Sequence, residues 1–79
     1  MKIKEILNAQ PMLDLEGNAF MRIENYMGIL EFTEQRLILK TKGMSYEILG
    51  KRLMIQGVTK REIYVTGEIE GLHIVKEAE

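Results

Sequence analysis

The chain of 79 residues has no cysteine, no tryptophan, one proline and one histidine. Without cysteine there is neither a disulfide framework nor a thiolate metal site. A lone histidine, His73, leaves a structural zinc site short of ligands within one chain, and no cofactor is expected. Long apolar runs are missing too: nothing approaches the roughly 20 residues that cross a bilayer. Charges in the opening MKIKEILNAQP interrupt the place where the apolar core of a signal peptide would lie. Nor is there an excess of one charge. Eleven basic and twelve acidic residues mix along the sequence for a net −1, which is no footprint of a nucleic-acid binder. The lack of cysteine suits the cytoplasm. A chain this short makes one domain with a small core, and self-association is the remaining common way to enlarge it.

What is present is alternation. Leu30 and Phe32, Leu37 and Leu39, Met44, Tyr46 and Ile48, Leu53 and Ile55, Ile63 and Val65, Ile69, and Leu72 and Ile74 recur at period two. On a strand such sets share one face. Turn chemistry falls between them at Glu34-Gln35, Lys42-Gly43, Gly50-Lys51 and Thr59-Lys60-Arg61. Gly43 and Gly50 are expected to supply the positive φ of tight hairpins, and Gly28 that of the loop before the main run. The spacing predicts an all-β fold, a small twisted antiparallel meander or sandwich-like domain of six or seven short strands. Ile69 and Leu72, three apart, predict a bulge at or near Gly71.

Upstream, residues 2–8 predict a short N-terminal helix with Ile3, Ile6 and Leu7 on one side. Met12, Leu13 and Leu15 fit either an edge strand or an apolar loop. The expected division is 1–18 as helix and apolar lead-in, 19–75 as a single β domain, and 76–79 as a polar tail.

At Ile23-Glu24-Asn25, Gly28-Ile29-Leu30-Glu31-Phe32-Thr33 and the run Arg36 to Thr41 the chain resembles the YabP/YqfC sporulation proteins of spore-forming Firmicutes. Gly50-Lys51-x-Leu53 and Gly67-Glu68-Ile69-Glu70-Gly71 continue the likeness in one register through most of residues 20 to 75, closer to the YqfC branch. Leu13-Asp14-Leu15-Glu16 lacks the proline usual before the first strand of that branch. The resemblance implies a small all-β protein of the mother cell, needed for spore formation and without catalytic residues.

The residues themselves agree. Ser45, the sole serine, lacks the glycine context and following helix of a nucleophile elbow. His73 lies between Leu72 and Ile74 and is expected to face outward. Glu68 and Glu70 are expected to pair with Arg61, Arg52 or Lys76 or simply to be solvated, and Gly67-x-x-x-Gly71 lies in a strand rather than before a helix, unlike a phosphate-binding loop. An enzyme is therefore not expected.

Two surfaces remain. In a meander alternate turns share an end, which would collect Lys40, Lys42, Lys60 and Arg61 as an anion- or lipid-headgroup site. Ile29, Ile38, Leu49, Met54 and Tyr64 point away from the core set and predict an apolar stripe closed by a homodimer. The leading expectation is a non-enzymatic β-sheet interaction module. It dimerises in the mother-cell cytoplasm and docks on another sporulation protein, including one bound to the forespore membrane. Anion binding by the basic turns is the alternative.

Overall fold

In the computed structural model, which describes residues 10–77, six strands form one antiparallel sheet. They are β1 (Met12–Glu16), β2 (Phe20–Glu24), β3 (Gly28–Phe32), β4 (Arg36–Thr41), β5 (Met44–Val58) and β6 (Glu62–Lys76). The all-β architecture is the expected one. The helix expected at residues 2–8 lies outside the described residues. Met12–Glu16 is an edge strand, paired through Leu13↔Ile23 and Leu15↔Met21.

The order across the sheet is β1-β2-β6-β5-β4-β3. From β3 to β6 it is the predicted meander. β2, however, lies beyond β6 and pairs with its first half, Met21↔Val65 and Ile23↔Ile63. The chain therefore crosses from one end of the sheet to the other between β2 and β3. Asn25 turns the corner at φ 63°, a left-handed conformation that asparagine tolerates better than most residues. Gly28, expected to supply that turn, has ordinary φ.

Gly50-Lys51 is not a turn. It lies inside β5, and β5 and β6 are each 15 residues long rather than short. Their pairing shifts between Leu49 and Gly50, and again between Lys51 and Met54. Arg52 stands at φ 52° and Gly67 at φ 134° beside these shifts, while Gly50 does not adopt positive φ. Bulges of this kind bend a strand and increase its twist. Here they break the β5–β6 hairpin into two arms. The base arm, residues 44–49 and 71–76, is extended by β4 and β3. The outer arm, residues 54–58 and 62–66, is extended by β2 and β1. The bend is bonded to the β3–β4 turn, with Gly50 N donating to Gln35 O at 3.0 Å and Leu53 N to Glu34 O at 2.8 Å.

The bend makes a sandwich out of a single sheet. Met21 and Ile23 of β2 share one buried cluster with Leu37 and Leu39 of β4, although β6 and β5 lie between those strands in the sheet. Tyr46, Ile48, Leu53, Ile63, Val65 and Ile69 complete it, and among the described residues Thr41 is the one buried polar side chain, its hydroxyl donating to Met44 O at 3.2 Å. The outer arm returns to the β2–β3 crossover, where Tyr26 Oη donates to Thr59 O at 3.1 Å and Met27 N to Lys40 O at 2.7 Å.

Candidate interaction surfaces

The five apolar residues expected to form one stripe do not share a face. A register shift between Ile29 and Glu31 puts Ile29 opposite Leu39, and directly opposed residues of an antiparallel pair project to the same side. Ile29 therefore lies on the inner face, and Leu30 becomes the extra residue of the bulge. Ile38 and Leu49 lie on the outer face of the base layer, opposite Glu47 and Arg36 respectively. Met54 and Tyr64 lie beyond the bend, on the outer face of the other layer. The bend divides the stripe.

Charge also interrupts it. Beside Ile38, Arg36 Nε stands 2.6 Å from Glu47 and 3.7 Å from Glu31, and His73 Nδ1 is 3.6 Å from Glu47. On the other layer Arg22 sits among Asp14 (2.8 Å), Glu24 (3.1 Å) and Glu62 (2.7 Å). These carboxylates, the hydrogen bond to Asp14 first, hold the guanidinium pKa above its ordinary value. Tyr64 stacks at a tilt on Phe20, ring centres 6.2 Å apart, and its hydroxyl donates to Glu62 at 2.8 Å.

The Tyr64–Glu62 bond needs the phenol proton, so it raises the Tyr64 pKa, with burial and the Glu62 charge adding to it. A raised pKa favours the neutral form in the folded state. The stability it contributes is present below the ordinary phenol pKa and is lost as pH rises through the raised one. Alkaline titration of the tyrosine absorbance is expected to show a late-ionising group that Tyr64→Phe removes. A titration curve whose last phase survives that substitution would assign the group elsewhere.

Without a turn at Gly50-Lys51, the meander no longer places the basic turns at one end. The turn holding Lys42 and the turn holding Lys60 and Arg61 lie at opposite ends of β5. The bend folds one back toward the other, and Tyr26-Met27 touches both Thr59 and Lys40. Lys40 Nζ is already held by Glu77 at 2.5 Å.

Ser45, Glu47 and His73 fall on one outer face, with Ser45 opposite Lys40 and Val75 and Glu47 opposite His73. No hydrogen bond joins Ser45 to His73 among the described residues. Glu68 takes Arg52 at 2.6 Å, one of its expected partners, and Glu70 lies 3.7 Å from Lys51. Among the described residues there is no enclosed cavity, no cluster of potential metal ligands, and no helix long and apolar enough to cross a membrane.

Two stretches of exposed apolar surface emerge that periodicity did not single out. On β3, Ile29, Leu30 and Phe32 are exposed; on the last part of β6, Leu72, Ile74 and Val75 are exposed. Both lie at edges of the base layer. The signal for the second was in the sequence: Leu72, Ile74 and Val75 put apolar groups on both faces of one strand.

Neither a curated protein nor a solved structure shows significant similarity to the chain. The model of the YabP family matches residues 8–79. That span takes in every strand of the bent sheet, so the chain belongs to the YabP family, which makes it a sporulation protein.

Proposed function

We propose that the protein is a non-enzymatic interaction module of spore formation, which binds another sporulation protein along an apolar edge of its sheet. The observation that carries this reading is the β3 edge. Ile29, Leu30 and Phe32 stand 43%, 60% and 42% exposed on a strand whose far side no described strand covers. Its five residues and its bulge discourage strand addition, so what the edge offers a partner is apolar contact through the side chains of Ile29, Leu30 and Phe32. The same reading places it nearer the YqfC branch of the family. By the same reading it works in the mother-cell cytoplasm, at the forespore membrane where its partner is anchored.

The test is capture from sporulating cells with a tagged chain. The expected result is one sporulation protein recovered with the parent and reduced about tenfold by Phe32→Glu, a charge set into an apolar contact, while the variant melts like the parent. Equal recovery with Phe32→Glu would overturn the use of this edge. A co-purifying anionic ligand with no protein partner would instead favour the basic turns at Lys40, Lys42, Lys60 and Arg61.

A further inference from the structure

Exposed strand edges invite pairing, and proteins protect them with short strands, bulges, charges or proline. Three edges of this sheet are protected in that way. β1 has five residues and carries Asp14 and Glu16. β3 has five and a bulge after Ile29. The outer arm of β5 shifts register at Lys51/Met54 and again at Ile55/Gly57. The base arm of β6 has six residues, neither bulge nor proline, and a single formal charge, Lys76 at its end. Residues 71–76 pair with residues 44–49 in unbroken register. Their other side meets no described strand, because β2 pairs only with residues 62–66. The sequence there is Gly-Leu-His-Ile-Val-Lys, with Leu72 42% and Ile74 48% exposed.

The faces of this segment follow from its partners. Leu72 opposes Ile48 and Ile74 opposes Tyr46, so both lie on the inner face. Gly71, His73 and Val75 lie on the outer one. We propose that this edge is where a second copy of the chain adds its own β6, antiparallel, with the two-fold axis through His73. That register sets Leu72 against the partner's Ile74 and Gly71 against the partner's Val75. It also sets Glu70 against the partner's Lys76, twice by symmetry. Shifting the axis to Leu72 would oppose Glu70 to Ile74, and shifting it to Ile74 would oppose Leu72 to Lys76. Only the His73 register matches apolar with apolar and acid with base, and it keeps the inner faces of the two base layers continuous. The contact is isologous and closes on itself, leaving each copy's β3 edge free.

The proposal deepens the interaction-module reading, and it is tested on purified protein alone, so loss of the dimer and loss of a sporulation partner are read separately. Sedimentation velocity over a concentration series is expected to show a monomer–dimer equilibrium. Lys76→Glu turns two attractive cross-strand pairs into repulsive ones and is expected to weaken it about tenfold. The double exchange Glu70→Lys/Lys76→Glu is expected to restore it, which a merely structural role for either residue would not. Because the chain has no cysteine, His73→Cys supplies a unique thiol. Thiols on the axis fall within disulfide reach, so mild oxidation with oxidised glutathione is expected to give a covalent dimer, whereas Gln56→Cys on the outer arm is expected to give none and to keep the parent's non-covalent equilibrium. A parent that sediments as a monomer throughout overturns the proposal. So does a dimer indifferent to the charge exchange, or one that His73→Cys fails to cross-link.

Discussion

Replacing Gly50 by alanine is expected to lower the midpoint of thermal unfolding by roughly 10–20 °C, the shift that about 3 kcal/mol produces in a domain of this size. A Cβ built at Gly50 falls 2.0 Å from the carbonyl oxygen of Glu68, and 3.0 Å from both its carbonyl carbon and Leu53 Cδ2. The nearest obstacle is backbone, not the end of a flexible side chain, so relief requires β5 and β6 to part at the bend. Parting them disturbs Gly50↔Ile69 and Lys51↔Glu68, the pairs that set the angle between the two arms. Gly67 is the matching position on β6. There a Cβ would lie 2.6 Å from Arg52 O, and the backbone at φ 134° is already one that other residues rarely adopt. Gly28→Ala is the control, since a Cβ at Gly28 meets nothing within 4 Å. Thermal melts followed by circular dichroism decide the matter. If Gly50→Ala melts within a few degrees of Gly28→Ala, the two strands do not approach as closely as this geometry requires.

Gly50 also shows where reading the sequence reached its limit. Gly-Lys-Arg between two apolar pairs is turn chemistry by every local criterion, and a turn there would have produced one more short strand. Whether such a step reverses the chain or bends it depends on the strand it pairs with. Here β6 continues past it from Ile69 to Glu68, and Arg52 takes the left-handed conformation assigned in advance to glycine. The bulge expected near Gly71 was legible because it left a mark in the pattern: Ile69 and Leu72 are three apart, and Glu70 is the residue left over between Ile69↔Gly50 and Gly71↔Leu49. The bulge in β3 left no such mark. Ile29, Leu30 and Phe32 offer two ways to alternate, and only the pairing with β4 selects one. From that ambiguity came the assignment of Ile29 to an outer stripe. The edges escaped notice for a related reason. Leu72 and Ile74 do belong to the inner face, as their spacing suggested, yet an inner face is buried only where the opposite layer reaches it.

The second large effect separates two leucines that local spacing treats alike. Leu39→Ala is expected to cost about 2–5 kcal/mol, the range for a leucine truncated in a packed interior. Leu30→Ala is expected to stay within about 0.5 kcal/mol, as for an ordinary surface substitution. Both residues belong to the alternating apolar set of neighbouring strands. Leu39 is fully buried, with Ile29 opposite on β3 and Tyr46 opposite on β5, whereas Leu30 is 60% exposed at the bulge. Truncating Leu39 leaves a cavity whose walls belong to both layers of the bent sheet, so neither layer can collapse into it without opening its own pairings. In a chain whose total stability is of the order of 4–12 kcal/mol, that loss brings Leu39→Ala close to the unfolding threshold at physiological temperature. Urea denaturation measures the difference directly, with the midpoint falling and the slope unchanged if only stability is altered. Equal costs for the two leucines would mean that Leu30 is the inward-facing residue and that β3 runs without its bulge. Ile29 would then point outward after all, and the β3 edge would present a different set of side chains to a partner.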